Sequence, residues 1–425
     1  MPVGPLRRVM RTHRRAVRRT AWIAGTLIVL LVLWGNGIHN IGSSSYAANN
    51  SCTPLDAQPD PEPPQLPDTS RDDLPDPKTI EGQTTAYTQT SAIAPVDSNP
   101  ELSQRLPATV ESADGPQQTV TDTSRILALN QNGGLAAAVV GLGLGCNLIG
   151  RDIATSVESL MPGSDDLPLV TQNGHELNAE AILELAPTVI ITDTSIGPYD
   201  TQLQLRDAGV PVVFIPLGYE AGVHGVEAQV QAVGDALGLS ELGSRLAERT
   251  NAEISQTIQE IGSSQAPTDP EDKPRVVFLY LRGNIYYWFG RGSGADTLIQ
   301  AIGARDVATE VGFDGMAPTN SEALVKAAPD VIIVITLGLE SVGGIDEAIK
   351  LPGIKQTPAG KNGRLVDMSD YEVMSFGPRT ASVLAALSTA IYDPEHSYQP
   401  EHGPDAVEKR VDEIRQDRAQ EGDGA

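Results

Sequence analysis

Short apolar runs, RILAL at 125–129, TVIIT at 188–192 and PVVFIP at 211–216, alternate along the chain with segments whose apolar positions recur at helical spacing. A run that is apolar throughout and too short for a helix predicts a strand buried on both faces, and its alternation with helices predicts a largely parallel sheet. A second set follows: PRVVFLYL at 274–281, IYYWF at 285–289, GADTLIQAIG at 294–303, DVIIVIT at 330–336 and RLVDM at 364–368. The pattern predicts an α/β protein of two similar lobes, residues 119–238 and 263–395.

The similarity extends to individual residues. Asn178, Glu180, Ala181, Ala186, Pro187, Val189, Ile190 and Ile191 match Asn320, Glu322, Ala323, Ala328, Pro329, Val331, Ile332 and Ile333, an offset of 142. Each copy reads as an Asn-capped helix, stopped before proline and followed by a buried strand. One lobe type is therefore used twice. Between the lobes, residues 239–262 place Leu242, Leu246, Ile254, Ile258 and Ile261 on one helical stripe, which predicts a long rigid connector.

The flanks lack this patterning. Residues 48–118 are rich in Pro, Asp, Gln, Ser and Thr and predict a disordered spacer; residues 396–425 predict a charged, solvated tail. Residues 1–47 read as a signal peptide, with seven Arg and no acid in the first twenty positions, the apolar run AWIAGTLIVLLVLW, and small residues Ser45 and Ala47 before a cut at Ala48. Both general and twin-arginine export fit this segment.

A net charge of -25 excludes a duplex nucleic-acid partner, whose phosphates need a basic surface. In an exported chain the two cysteines, Cys52 and Cys146, predict a disulfide. The competing assignment, a lipid on Cys52, meets the preceding residues ANNS, which lack the apolar residue of a lipid-attachment site.

The segments TSRILAL, GLGLG, LVTQNGHELNAEAILELAPTVIITDTSIGP, LRDAGVPVV, YLRG and FGRGSGADTLI lie within residues 119–391. With the paired lobes, linking helix, export segment and spacer, they resemble the haemin-binding lipoproteins of actinobacterial haem ABC importers, within the helix-strut class of substrate-binding proteins. The resemblance implies a ligand cleft between the lobes, haem as the transported ligand, delivery to ABC importer permease subunits for iron acquisition, surface haem-binding proteins as donors, and no enzymatic activity. It assigns His175 and Tyr280 as haem iron ligands, one from each lobe, with Arg282 beside the tyrosine. Glu180 and Glu322 are assigned to permease docking. The family's lipid-attachment motif is not reproduced here, and the methionine that some relatives place after the strand matching DVIIVIT is replaced by ITLGLES.

The residues support such a site independently. Tyr280 and Arg282, two apart near the carboxyl end of a strand, share a face at the edge where open α/β sheets bind ligands. His175 occupies a glycine-containing turn ahead of a helix cap, and Tyr199 follows a strand end. Tyr219, Tyr286, Tyr287 and Trp288 are further aromatic candidates for the walls, and Arg379 is a candidate for an anion contact. Two other readings remain: a ferric-siderophore or cobalamin carrier of the same class, and, from GRGSGA at 290–295, a dinucleotide-dependent oxidoreductase.

Overall fold

A computed structural model describes residues 52, 55–58, 60, 63–172, 174–216, 218–282 and 285–399; the expected signal segment and the tail beyond 399 lie outside them. The expectation of a disordered spacer over 48–118 is corrected for its described part, which forms a strap across both lobes. Cys52 is disulfide-bonded to Cys146, with Cα atoms 5.7 Å apart. Strand β1 (Thr84–Ala86) pairs in parallel with the edge of the second-lobe sheet. The strap then returns to the first lobe, where Ile93 and Val96 are buried, and their N–H groups donate to Leu160 O at 3.0 Å and Gly141 O at 2.9 Å. It ends in a hairpin of β2 (Ala108–Glu111) and β3 (Gln117–Val120). The strap has too few apolar residues for a core of its own, so it borrows the lobes' cores. Its prolines, with φ already fixed, reduce the entropy cost of ordering. Arginines satisfy its carbonyls: Arg249 donates to Gln58 O and Ala94 O, and Arg245 to Val96 O. Arg364 donates to Gly82 O.

The first lobe is a parallel sheet of β4 (Ile126–Leu129), β7 (Val189–Thr192) and β8 (Val212–Phe214), in that order. A small hairpin, β5 (Thr171–Gln172) with β6 (Glu176–Leu177), stands beside it. Alternate strand residues enter different cores: Ile126, Val189, Ile191 and Val213 face a central core, whereas Leu127, Leu129, Ile190 and Phe214 face an outer one. Burial on both sides explains why these strands read as unbroken apolar runs.

The connector is a helix, Ser240–Ser264, whose Leu242, Leu246, Ile254 and Ile261 enter the same central core. Beyond it lie β9 (Arg275–Arg282), β10 (Ile285–Phe289), β11 (Arg305–Asp306), β12 (Met316–Thr319), β13 (Val331–Ile335) and β14 (Leu365–Met368). These strands and β1 form one seven-stranded sheet, with the order β1-β14-β13-β9-β10-β12 and β11 against β9. It is mixed, because β10 is antiparallel to both β9 and β12. Val276, Phe278, Val331 and Ile333 join the central core, which therefore runs through both lobes and the connector.

The echo survives in three dimensions. Asn178 Oδ1 accepts from Ala181 N at 3.1 Å, and Asn320 Oδ1 from Ala323 N at 2.9 Å. Both helices, Ala179–Glu184 and Ser321–Ala327, lead to an alanine in the left-handed region, Ala186 and Ala328, each with φ 45°. These are the only non-glycine residues with positive φ among the described residues.

Candidate ligand-binding site

Loops at the carboxyl ends of the first-lobe strands meet the second lobe. After β4, Gly134 packs so tightly on Phe376 O that a Cβ would lie 2.4 Å from it, and Gln229 Nε2 donates to the same oxygen at 3.1 Å. After β8, Val223 N donates to Thr297 Oγ1 at 3.0 Å. These contacts join the two lobes on the side of the strand ends, the position where open α/β sheets hold ligands.

His175 lies in the turn between β5 and β6, where Gly174 supplies φ +90°. The loop after β7 pins this turn: Gly197 N donates to His175 O at 3.1 Å, and Leu177 N to Gly197 O at 2.6 Å. The imidazole is half-buried, its Nδ1 is buried without a hydrogen-bond partner, and desolvation holds its pKa below the usual histidine value. It is therefore neutral at pH 7, the form that ligates metals.

Tyr280 lies on the opposite lobe, near the carboxyl end of β9, and is half-buried. Its cross-strand partner is Tyr287, with ring centroids 6.0 Å apart. Deeper on the same face, Phe278 stacks on Phe289 at 4.9 Å. The hairpin thus carries an aromatic ladder that runs from the core to a half-exposed tyrosine pair. Arg282 ends β9 on the face that strand alternation assigns to Tyr280; its side chain is outside the described residues.

Other sequence candidates are placed differently. Tyr286 and Trp288 point to the reverse face of the hairpin, into the outer core of the second lobe, and line no cleft. Tyr199 begins its helix two residues from Gly197, but its ring meets Phe214 edge-on at 5.4 Å and its hydroxyl donates to Asp114 at 3.3 Å. Arg379 is buried and donates to Tyr371 O at 2.8 Å and Ser375 Oγ at 3.0 Å. The side chain of Tyr219 is outside the described residues. Glu180 and Glu322 are both exposed, each at the second position of its helix.

The GRGSGA segment does not make a dinucleotide turn. The strand before it is antiparallel to its neighbours, Asp296 Oδ2 already accepts Gly292 N at 3.0 Å, and residues 222–223 cover the start of the following helix.

Sequence reasoning missed the buried acids behind the strand ends. Asp152 accepts Asn130 N at 3.0 Å, and burial pushes its carboxyl up to about 6. Desolvation also raises Asp193, which follows β7, and pushes Asp370, beyond β14, up to about 6. No spacing signals them: Asp193 and Asp370 follow strands as ordinary loop acids do, and Asp152 lies in the loop after a short helical turn, Gly145–Asn147. Tyr287 was legible only as one of several aromatics; the hairpin register makes it the neighbour of Tyr280.

The family model described as periplasmic binding protein matches residues 132–372. Among solved structures, the haem-binding protein HmuT is 36% identical, with a TM-score of 0.67 over 75% of this chain and 100% of that one. The periplasmic haem-binding protein RhuT from Roseiflexus sp. RS-1, in apo form, is 33% identical, with a TM-score of 0.56 over 64% of this chain and 99% of that one. The periplasmic haem-binding protein HutB of Vibrio cholerae is 25% identical, with a TM-score of 0.53 over 64% and 100%. No curated protein sequence matches the chain.

Proposed function

Because the chain belongs to the periplasmic binding protein family, we propose that it is an extracytoplasmic haem-binding protein that captures haemin in the inter-lobe cleft and delivers it to the permease of an ABC importer. The observation that carries this reading is the pairing of a neutral, half-buried His175 on one lobe with a half-buried Tyr280 on the other, each at the strand-end side of its lobe. Solved HmuT variants replace a histidine, a tyrosine and an arginine by alanine, the last two separated by one residue. Tyr280 and Arg282 have the same residue types and spacing.

An imidazole and a phenolate suit ferric iron, and the aromatic ladder beneath Tyr280 offers an apolar wall to a porphyrin. Holding an ordinary tyrosine as phenolate at pH 7 costs about 4 kcal/mol. A guanidinium on the same strand face would offset part of this, and a bound ferric iron would offset the rest. The unpartnered Nδ1 of His175 leaves that imidazole without a competing hydrogen bond.

Haemin titration of the purified protein, followed at the Soret band, tests the assignment. Tyr280→Ala loses the anionic ligand and weakens binding most; His175→Ala leaves a weaker complex with a shifted Soret band; Arg282→Ala weakens binding least. Wild-type spectra and affinities for both Tyr280→Ala and His175→Ala would sink the site. Displacement of haemin by a ferric siderophore would move the reading to that ligand class.

For docking, Glu180 and Glu322 are the proposed charged contacts to the permease. Glu180→Ala with Glu322→Ala should preserve haem binding and impair uptake by cells; normal uptake would remove the assignment.

A further inference from the structure

Strand β13 stops short of its neighbour. It pairs with β9 up to Val334 opposite Leu279, and after Ile335 the chain turns into a short helix, Thr336–Ser341. In a continued register the next inward-facing pair would have been Thr336 with Leu281, the residue between Tyr280 and Arg282. The helix takes the place of the missing strand. Gly338 lies so close to β9 that a Cβ on it would be 3.1 Å from Leu281 O, and Ser341 Oγ donates to the same oxygen at 3.2 Å. That hydroxyl has a single proton and also faces Gly338 O at 2.7 Å, so the two carbonyls share it.

Two carboxyls beyond the other neighbour of β13 hold the start of this helix. Ile335, at its N-cap position, offers no side-chain cap. Asp370 Oδ2 instead accepts Leu337 N at 3.0 Å, and the buried Asp367, in β14, accepts Thr336 Oγ1 at 2.9 Å. The strap fixes Asp367 in turn: Gln83 Nε2 and Thr85 Oγ1 donate to its Oδ1 at 2.8 and 2.9 Å. A line of contacts therefore runs from the strap through β14 and the helix to the peptide that joins Tyr280 to Arg282.

We propose that Asp370 and Ser341 are positioning residues for the ligand site, which act through the helix Thr336–Ser341 to fix the strand end carrying Tyr280 and Arg282. The role of that strand end in haem binding rests on the reading above; its anchoring by the helix does not. Ligand residues hold their geometry only when neighbouring groups lock them, and beyond Leu279 this helix is what stands beside β9 on the β13 side. Leu281 is itself buried in the outer core of the second lobe, so its backbone is the fixed point between two side chains of the opposite face.

The test uses the full chain. Haemin binding is read at the Soret band, the tyrosinate-to-iron charge-transfer band is read on the same samples, and amide hydrogen exchange at residues 280 to 282 is followed in the haem-free protein. Ser341→Ala should weaken haemin binding about threefold and Asp370→Ala about tenfold, the range expected for one lost hydrogen bond. Both should lower the charge-transfer band and speed exchange at residues 280 to 282. Asp370→Asn keeps an acceptor for Leu337 N and should stay within about twofold of the wild type. Gly338→Ala removes no hydrogen bond but pushes on Leu281 O, and it should weaken binding as well. A merely structural role would lower the melting temperature and leave the charge-transfer band and the exchange at residues 280 to 282 unchanged; that result would overturn the proposal, as would wild-type haemin binding by Ser341→Ala and Asp370→Ala together. If Asp370→Ala does not fold, Ser341→Ala and Gly338→Ala decide by the same readouts. Faster exchange in the variants, with no Soret binding by the wild type, would overturn the haem reading and leave the anchoring of the strand end standing.

Discussion

At Asp152 the chain buries a carboxyl completely, and although that carboxyl accepts the Asn130 N–H, desolvation raises its pKa from 3.8 to about 6. The folded state therefore holds its proton more tightly than the unfolded chain. Its contribution to stability is full below pH 4, falls as pH rises to about 6, and is then flat. A rise of about two units corresponds to roughly 3 kcal/mol. Asp152→Asn can still accept from Asn130 N but loses the titration. It should melt at a higher temperature than the wild type at pH 7.5, with the gap closing toward pH 4; a gap independent of pH would show that ionisation is not the cause. His175 has the opposite sign. Its lowered pKa makes the folded state release a proton, so its cost appears as pH falls below the unfolded value near 6.5.

The repeated helix-to-strand unit is the clearest element to test. A left-handed alanine is strained by its Cβ, at roughly 1 kcal/mol, and both copies carry one where the helix gives way to proline, at Ala186 and Ala328. Alanine to glycine inside a helix loses about 1 kcal/mol. At these two positions relief of strain offsets the entropy of glycine, so Ala186→Gly and Ala328→Gly should be neutral or stabilising by roughly 0.5 kcal/mol in urea unfolding. Losses of a full kcal/mol at both would mean that the conformation is not the observed one. The strap gives a second test. Cys52 and Cys146 are 94 residues apart, and a bond across so long a loop stabilises by about 2 to 5 kcal/mol, largely by restricting the unfolded chain. Intact mass should change by two protons on reduction, and Cys52→Ser with Cys146→Ser should lose stability in that range. A lipid found on Cys52 would exclude the bond.

Across the whole molecule, one central core passes from the first lobe through the connecting helix into the second, and the strap crosses between lobes on the outside. The connecting helix has 25 residues, or about 37 Å at 1.5 Å per residue. Wide hinge closure would have to break that core. Small-angle scattering should therefore show a radius of gyration that changes by less than about 1 Å between the haem-free and haem-loaded protein; a change of several Å would show that the core opens. Local pattern carried much of this architecture. Unbroken apolar runs, the Asn-x-Glu-Ala repeat and the stripe from Leu242 to Ile261 each report a burial that repeats with the period of one element, so strands, lobe duplication and connector could be read along the chain. Resemblance, not spacing, singled out His175 and Tyr280. Tertiary structure decided what depends on contacts far apart in sequence. The β9–β10 register sent Trp288 and Tyr286 into a core and set Tyr287 beside Tyr280. The helices and arginines of both lobes turned a proline-rich stretch, with no core of its own, into an ordered strap whose strand pairs with residues more than 280 positions away. Periodicity records only a residue's own element; which face meets which neighbour is settled when distant elements pack, and that information is spread over the whole chain.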